Sequence, residues 1–406
     1  MNYVGVGVVI LTFALIAARR LRVPPWASML LGGVLMVALG VESFKQALQA
    51  VDLNVVLFLF SLFSLVSALE VSGFLKFLAF KLVSSSRDPR RLLLYTLVFS
   101  SLLACVVTND GVASSWTPVV LDAARLGGLD PTPLMYSLAF GVTIGSTMMP
   151  TGNPQNLLIA LNSGLADPFV TFLKVLFVPT IINVFVTYLF LRLLFRGKAG
   201  EVMKLDEVRV DDKFTAYLSL GLLVATFSAY FVLEFIPSSQ LNYVSVSLLS
   251  ASLLYLISGK RRQIVRNLDW STIVFFVGLF MFTEGVLNSG VVGVVFGAFP
   301  SPASVTTIFT ISVLLSQVVS NVPLVALYIP VLLSPHSGTQ QWIALAVGST
   351  IAGNVTLLGA ASNVIISEGA EVRGGRGFDF LQFIKYGVPL TLINLAIYYP
   401  FLVIRF

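Results

Sequence analysis

Charged residues, cysteine and histidine are scarce in this chain. Of its 406 residues only 11% are charged, whereas 57% are hydrophobic. Soluble globular proteins carry about 25% charged residues, so the composition excludes a water-soluble fold, a disordered chain and a nucleic-acid-binding module. The single cysteine, Cys105, excludes a disulfide framework, and the single histidine, His336, excludes histidine clusters and His-centred triads. The sequence is therefore predicted to be an all-α polytopic membrane protein and not an enzyme.

Apolar segments make up most of the sequence, and they predict ten membrane crossings. A spanning helix needs about 20 predominantly apolar residues. Two further apolar stretches, 92–121 and 303–333, each contain a polar tip and are interpreted as re-entrant hairpins. The crossings are expected at about residues 2–18, 26–41, 53–72, 132–160, 169–195, 215–235, 242–258, 270–288, 342–366 and 380–404.

The distribution of Lys and Arg supports the re-entrant interpretation. Cytoplasmic loops of membrane proteins carry an excess of basic residues. With the N-terminus outside and both hairpins re-entrant, every Lys and Arg except Lys45, Lys174 and Arg405 falls on the inner side. Hairpins that crossed the bilayer fully would move the basic loop 196–213 to the outside. We therefore expect a multi-pass protein of the cell membrane with both termini outside.

The two halves of the chain carry matching landmarks in the same order. The first half is predicted to span residues 1–196 and the second 214–406, joined by a cytoplasmic linker over 197–213. Each half holds five crossings, an odd number, so the halves must be inverted relative to one another. Inverted repeats with broken helices near the bilayer midplane are typical of secondary transporters. The matched landmarks are Asp52 with Asp269, Ser72-Gly73 with Ser289-Gly290, Thr108-Asn109-Asp110-Gly111 with Ser320-Asn321-Val322-Pro323, and Gly152 to Asn156 with Gly359 to Asn363.

Four polar runs lie inside apolar segments and are predicted to interrupt helices: 108–111, 145–156, 320–323 and 349–363. Two are at the hairpin tips and two lie within the crossings 132–160 and 342–366. Gly and Pro residues in these runs, such as Gly111 and Gly145, are expected to free the backbone from helical geometry. Non-helical backbone is tolerated at membrane depth only where it is buried in protein or lines a wet cavity. The four runs are therefore expected to meet around one site.

The oxygen atoms of these runs are hard ligands of the kind that bind Na⁺, and helix N-termini that restart after each break suit an anion. No Lys or Arg occurs in the runs, so amides, helix dipoles and bound cations would have to hold an anion. Na⁺ is expected at Asn109, Gly152 and Asn156, and again at Asn321, Gly359 and Asn363. The candidate substrate- and ion-binding residues are Thr108, Asn109, Asp110, Gly111, Ser146, Thr147, Gly152, Asn153, Asn156, Ser320, Asn321, Asn354, Thr356, Gly359, Ser362 and Asn363.

Carboxylates near or within the apolar segments leave alternatives open. Asp110 has no acidic counterpart in the second hairpin, where Val322 stands, and it is either a proton or cation site or a cap of the hairpin tip. Glu70 and Glu284 lie on opposite ends of comparable crossings, where they are either interfacial or part of the coupling machinery. The amphipathic stretch 73–83 predicts an interfacial helix that leads into the first hairpin.

These motifs resemble the ion transporter superfamily, which includes arsenite/antimonite efflux pumps, divalent anion/sodium symporters, citrate transporters and some Na⁺/H⁺ antiporters. Residues 108–113, Thr-Asn-Asp-Gly-Val-Ala, look like the Asn-Asp-Gly hairpin of arsenite pumps, and 145–156 is similar to a stretch of anion-transporter members. Residues 320–323 and 352–359 look like the second-half partners. The resemblance covers essentially the whole chain and implies a scaffold domain and an elevator-type transport domain in a homodimer. The Ser-Asn-Thr tip of the dicarboxylate branch is replaced here.

The expected function is secondary active transport of a small anion, an oxyanion or a neutral oxyacid, coupled to Na⁺ or H⁺ with no other cofactor. Alternatives are arsenite or antimonite efflux, Na⁺/H⁺ exchange at Asp110, and, in a different class, an ion channel with a filter built from re-entrant loops. An intramembrane enzyme is disfavoured because the lone His336 lies outside the four runs. The expected partners are the solute, the bilayer and a second copy of the chain, with no nucleic acid.

Overall fold

Helices account for the secondary structure throughout the described chain. The computed structural model describes residues 2–17, 23–84, 88–126, 129–195, 208–233, 241–297, 304–333 and 337–404, and no strand occurs among them. The helices are α1 (Tyr3–Ala17), α2 (Pro25–Ala38), α3 (Phe44–Ala50), α4 (Leu53–Val71), α5 (Phe74–Ser84), α6 (Pro89–Val106), α7 (Asn109–Leu126), α8 (Thr132–Ser146), α9 (Pro154–Asn162), α10 (Pro168–Leu194), α11 (Lys213–Leu233), α12 (Tyr243–Ile257), α13 (Arg261–Arg266), α14 (Trp270–Ser289), α15 (Val291–Gly297), α16 (Val305–Val319), α17 (Asn321–Leu332), α18 (Thr339–Ile351), α19 (Ala361–Val372) and α20 (Phe380–Val403).

Several of these helices are apolar enough to cross a bilayer. Among the described residues, α4, α6, α10, α11, α14 and α20 combine the required length and hydropathy, and α1, α2, α12, α16 and α17 are shorter apolar helices. Large apolar side chains are exposed along α10 and α11, for example Phe185 and Tyr217. Such a surface would be unfavourable in water and suits lipid. The prediction of an all-helical, multi-pass membrane protein is confirmed.

The first helices of each half pack against the other half. Helices α1 and α2, at the start of the first half, lie against α14 of the second half. Helices α11 and α12, at the start of the second half, lie against α4 of the first half. The short helices follow the same pattern, because α3 contacts α14 and α13 contacts α4. The matched landmarks share local geometry: Asp52 and Asp269 cap α4 and α14, and Gly73 and Gly290 follow these helices with φ of 76° and 77°.

Each of the two stretches predicted as hairpins folds as a pair of contacting helices. Helices α6 and α7 meet at residues 107–108, and α16 and α17 meet at Ser320. The predicted interruptions at 108–111 and 320–323 are too long, because residues 109–111 and 321–323 form the first turns of α7 and α17. A first turn tolerates polar residues and Pro, since its amides lack helical partners in any case. At Ser320 the backbone has φ of 70°, which is strained for a residue other than Gly.

The two other polar runs separate short helices. Helix α8 ends at Ser146, a single 3₁₀ turn follows over Pro150–Gly152, and α9 begins at Pro154. Helix α18 ends at Ile351, and residues 352–360 lead through a 3₁₀ turn to α19. Gly145 does not interrupt α8, contrary to the prediction. A Cβ atom there would lie 2.0 Å from the Ser101 carbonyl oxygen, so its small size permits close packing against α6.

Short connecting segments complete the fold. Helix α5 occupies the stretch predicted as an interfacial helix. Of the predicted linker 197–213, residues 208–213 are described, and the amides of Asp211 and Asp212 donate to the Ser72 carbonyl at 3.0 and 3.2 Å. The remainder of the linker, the basic cluster at 19–22 and His336 lie outside the described residues.

Candidate functional site

Four segments from both halves meet in the interior of the helix bundle. Helix α7 of the first hairpin packs against α19, and α17 of the second hairpin packs against α9. Helix α9 also contacts α18. The N-terminal turn of each hairpin's second helix is therefore held beside the broken-helix region, where most of the predicted site residues lie. We name residues 146–156 the first loop and residues 352–363 the second loop, so that each includes the first residues of the helix that follows it.

The first loop is closed by its own asparagines. The Asn153 amide nitrogen donates to the Ser146 carbonyl at 3.1 Å and to the Thr350 hydroxyl at 3.2 Å. The Asn156 amide nitrogen donates to the carbonyls of Ser146 and Thr147 at 3.0 and 3.3 Å, while its oxygen accepts from the Thr350 hydroxyl at 3.1 Å. Both asparagine side chains thus have their amide groups engaged within the protein.

The other predicted residues of the first loop are engaged as well. The hydroxyls of Ser146 and Thr147 donate to the Thr143 carbonyl at 2.9 and 3.2 Å. A Cβ atom at Gly152 would lie 2.3 Å from the Ser146 carbonyl oxygen, so only glycine allows the loop to close this tightly. The first loop is therefore a compact, hydrogen-bonded turn.

The second loop contains buried polar atoms without a partner among the described residues. The Asn363 nitrogen donates to the Gly353 and Thr356 carbonyls at 2.8 and 3.4 Å, but the Asn363 oxygen has no partner. The Asn354 side chain is fully buried, and neither of its amide atoms is bonded. The Ser362 hydroxyl is also buried and unpartnered. Because a buried polar atom is costly to leave unpaired, these atoms mark a place where a ligand is expected.

Gln317 holds the second loop in place, although the sequence analysis did not include it among the site residues. Its amide nitrogen donates to the Ala352 carbonyl at 2.9 Å, and its oxygen accepts from the Thr356 hydroxyl at 2.7 Å. Thr356 is therefore engaged with α16 instead of offering a free oxygen. An amide side chain within the apolar stretch 303–333 is the signal that could have identified Gln317.

Both hairpin tips reach the second loop. Asn109 and Asn321 are 8% and 6% exposed, and the amide oxygen of each has no partner in the described structure. The Asn321 nitrogen lies 3.6 Å from the position that a Cβ atom at Gly353 would take. The Asp110 carboxyl interacts with the Ser362 backbone amide, and one of its oxygens is buried and unpartnered. Thr108 accepts from the Gly111 amide at 3.3 Å and caps α7.

A cavity of about 360 Å³ connects the first hairpin tip to the surface. We name this cavity the vestibule. Its carboxylates come from three helices or their caps: Glu70 at the exposed end of α4, Asp110 in α7 and Asp269 at the N-cap of α14. No Lys or Arg lines the described part of the vestibule. Its full lining is Phe63, Val66, Ser67, Glu70, Thr108, Asp110, Gly111, Ser114, Pro154, Asn267, Asp269, Ser271, Thr272 and Ile365.

The two sets of residues predicted to bind Na⁺ therefore differ in whether their side-chain oxygens are free to bind a cation. In the group of Asn109, Gly152 and Asn156, the Asn156 oxygen already accepts a hydrogen bond. In the group of Asn321, Gly359 and Asn363, both asparagine oxygens are buried and unpartnered. Within the described ranges, no set of three His, Cys, Asp or Glu side chains is placed to hold a metal ion. Apart from the Asp110 carboxyl, the side-chain oxygens that this site offers a cation are neutral.

A further pair of matching residues was missed in the sequence. Thr180 and Asn183 in α10 have the same spacing as Thr391 and Asn394 in α20. The Asn394 nitrogen donates to the Asn183 oxygen at 2.7 Å, and the two residues are 211 positions apart. The matching residues of the two halves therefore lie side by side where α10 packs against α20.

The fold and this interior polar region define a class of protein: a polytopic membrane transporter built from broken and paired helices. Comparison with known proteins gives the family. The sequence profile of the family described as "Citrate transporter" matches residues 11–348, and the chain belongs to this family. The resemblance to this group of transporters is confirmed, and with it the expectation that the protein is not an enzyme.

Curated relatives are consistent with this family, and a solved structure shares the fold. The chain is 28% identical to a 46 kDa membrane protein of Mycobacterium leprae, over 100% of this chain and 99% of the relative. It is 26% identical to the silicon efflux transporter LSI3 of Oryza sativa subsp. japonica, over 92% and 91%. The YdaH transporter of Alcanivorax borkumensis shares the fold with a TM-score of 0.61 at 16% identity, over 88% of this chain and 86% of that one.

Proposed function

We propose that the protein is a secondary active transporter of a small oxyanion, or of its uncharged oxyacid, driven by Na⁺ or H⁺. One observation carries the proposal: both hairpin tips and the second loop hold buried oxygens without a partner, Asn321 lies beside Gly353, and Asp110, which bonds to Ser362, also lines the vestibule. A carrier needs a small binding site of this kind at mid-depth, reached from one side at a time. The silicon efflux activity in the name of the rice relative is compatible with an oxyacid substrate.

An inverted repeat is the architecture we propose for this carrier. The first repeat would run over 1–196 and the second over 214–406, each with five crossings and one re-entrant hairpin. The swapped packing of α4 and α14 supports the repeat, as does the contact between Asn183 and Asn394. We further propose that the hairpins and broken helices form a transport domain that moves past a dimeric scaffold, with both chain termini outside.

The coupling cation is proposed to bind at the second loop. Na⁺ accepts neutral oxygen ligands, and Asn321, Asn354 and Asn363 offer such oxygens from buried positions. The first loop offers none from Asn153 or Asn156, because the oxygens of both side chains accept hydrogen bonds within the protein. We therefore expect one cation of this kind for each chain instead of two.

Cation exchange at Asp110 is a second candidate function, favoured by a specific observation. Asp110 lines the vestibule together with two other carboxylates, and one of its oxygens is unpartnered. In that case a Na⁺ gradient alone would drive proton movement with no solute present. Proteoliposomes with a trapped pH dye would detect such exchange directly.

Solute counterflow in proteoliposomes tests the proposed function. Vesicles preloaded with sulfate, citrate, boric acid, silicic acid or arsenous acid would be diluted into the labelled solute, with and without Na⁺. We expect saturable counterflow of at least one of these solutes and its loss in Asn363→Ala. Asn162→Ala is the matched control, since Asn162 donates only to the Leu158 carbonyl within α9. Absence of counterflow for every solute, or flux at channel-like unitary rates, would contradict the proposal.

A further inference from the structure

The short helix α13 carries an exposed basic surface. Ile264 is fully buried, and its carbonyl accepts from the Ser67 hydroxyl of α4 at 2.9 Å, which fixes the orientation of α13 against the bundle. Because successive helical residues are rotated by about 100°, Arg262 and Arg266 lie side by side on the face opposite Ile264. Both are exposed, as is Arg261, and no ion pair among the described residues involves them. We name these three arginines the basic surface.

Exposed apolar residues border the basic surface. Helix α12 contacts α13, and Leu256 and Ile257 in its last turn are 72% and 46% exposed. Trp270, the first residue of α14, is also exposed, and its indole nitrogen donates to the Val265 carbonyl at 2.9 Å. The indole ring is therefore held at the end of α13. Tryptophan is enriched at the depth of the lipid headgroups, so positive charge and apolar surface are combined here as a phospholipid requires.

The corresponding helix of the first half lacks this charge. Helix α3 follows α2 and packs against α14, just as α13 follows α12 and packs against α4. The exposed residues of α3 include Phe44 and Leu48, and Lys45 is its one basic residue. In the inverted repeat proposed above, α3 and α13 would lie at opposite faces of the membrane. Covering the ends of α4 and α14 requires a short helix at both faces but requires arginines at neither.

We propose that the basic surface binds the headgroup phosphate of an anionic phospholipid, whose acyl chains lie along Leu256 and Trp270. Neighbouring guanidinium groups offer several N–H donors to phosphate oxygens. Each basic residue near an anionic membrane surface raises the affinity about fivefold. The exposed apolar border favours a lipid over a soluble phosphate, because only the lipid brings chains that cover it. The inference rests on the membrane location of the protein and not on the identity of the transported solute.

Lipid titration of the purified full-length protein tests the proposed site. Phosphatidylglycerol, phosphatidylcholine or inorganic phosphate would be added in neutral detergent while the thermal midpoint is followed. We expect saturable stabilisation by phosphatidylglycerol alone, and about 25-fold weaker binding in the double variant Arg262→Gln/Arg266→Gln, fivefold for each arginine. Lys45→Gln in α3 is the matched control and should keep the wild-type affinity. Equal affinities in the double variant and the wild type, or equal stabilisation by phosphatidylcholine or inorganic phosphate, would overturn the inference.

Tryptophan fluorescence gives a second readout that does not depend on stability. In vesicles, brominated phosphatidylglycerol should quench Trp270 more strongly than phosphatidylcholine brominated at the same positions, and the signal lost in Trp270→Phe isolates this residue. Trp116 and Trp342 are buried and should respond equally to the two lipids. In Arg262→Gln/Arg266→Gln the preference for the anionic lipid should disappear. Equal quenching of Trp270 by the two lipids in the wild type would overturn the inference and leave the proposed transport function untouched.

Discussion

The first and second loops occupy equivalent places in the two halves, but they differ in how their polar groups are satisfied. Asn153 and Asn156 in the first half bond to backbone carbonyls and to Thr350. In the second half, Asn354 and the oxygen of Asn363 are equally buried and have no partner among the described residues. The two breaks thus differ: the asparagines of the first are satisfied within the protein, whereas those of the second keep polar atoms without a partner among the described residues.

The largest effect is expected on the transport rate when Asn354 of the second loop is replaced, in the variant Asn354→Ala. Because neither amide atom of Asn354 is bonded, its removal breaks no hydrogen bond, and burial of an unpaired amide is itself unfavourable. We expect the transport rate to fall by at least about a hundredfold (~3 kcal/mol of lost binding), while the thermal midpoint stays unchanged or rises. Counterflow and thermal melting of the same preparation would measure both. Wild-type flux would contradict the role of the second loop.

The opposite response is expected for Asn156→Ala in the first loop. This change removes hydrogen bonds to the Ser146 and Thr147 carbonyls and leaves the Thr350 hydroxyl without its acceptor. Buried groups left unpaired cost about 3 kcal/mol in total, so the thermal midpoint should fall by about 3 °C or more. Asn162→Ala serves again as the control. A midpoint within about 1 °C of the wild type would remove the distinction between the loops.

An intermediate effect is expected at Gln317, which tethers the second loop. Gln317→Leu loses the bonds to the Ala352 carbonyl and the Thr356 hydroxyl. We expect a roughly tenfold higher KM, because the loop is held less firmly in its binding geometry. Thr356→Val removes one of these bonds and should raise KM only about threefold. Equal effects of the two variants would argue that Gln317 acts through something other than this tether.

A smaller effect of opposite sign is expected at the second hairpin tip. Ser320 has φ of 70°, and strain of this type costs on the order of 1 kcal/mol. Ser320→Gly should therefore raise the thermal midpoint by about 1 °C. Ser304→Gly is the matched comparison: Ser304 has φ of −75° and caps α16, so its replacement should lower the midpoint. The same sign in both variants would count against strain at the tip.

The smallest expected effect is the pH dependence that Glu42 contributes to the stability of the folded protein. Glu70 accepts from Asn267, whereas Glu284 lies near a second carboxyl, Glu42, in the segment that joins α2 to α3. Burial, and then the charge of Glu284, raise the pKa of Glu42 from 4.5 to about 7. The native state therefore holds a proton that the unfolded chain releases, and its contribution to stability is complete below about pH 4.5 and lost as the pH rises through 7.

Glu42→Gln should abolish that dependence. The thermal midpoint of the wild type is expected to decline between pH 4.5 and 7, with about 1 kcal/mol at stake once solvent screening is considered. The variant should show a flatter profile and be more stable than the wild type above pH 7. Glu368→Gln, at an exposed position, should retain the wild-type profile. Parallel profiles for Glu42→Gln and the wild type would show that Glu42 does not titrate in this range.

Much of the helical architecture follows from local sequence. Long apolar runs predict α4, α10, α14 and α20 within a few residues, and the matched landmarks Asp52 and Asp269 stand at the N-caps of two of these helices. The short helices α3 and α13 were not predicted, because helices of this length carry too little apolar periodicity. The capping box of Ser43 and Gln46 was a local signal for α3.

Whether each buried polar group has a hydrogen-bond partner could not be predicted from local sequence. Asn156 and Asn363 occupy matching positions in the sequence, yet only Asn156 receives the Thr350 hydroxyl, which lies 194 residues away. Such a partner depends on how α18 packs against α9, and no local pattern encodes it. The sequence therefore predicts which residues lie at the breaks, whereas only the tertiary structure distinguishes satisfied groups from free ones.

Ligand-induced stabilisation of Asn156→Ala and Asn363→Ala tests the central claim most directly. A ligand that binds the native state raises the thermal midpoint by mass action, so the rise on adding the transported solute with Na⁺ reports the site independently of basal stability. The account predicts a wild-type rise in Asn156→Ala, despite its lower starting midpoint, and no rise in Asn363→Ala. A rise that is lost in Asn156→Ala and retained in Asn363→Ala would contradict it.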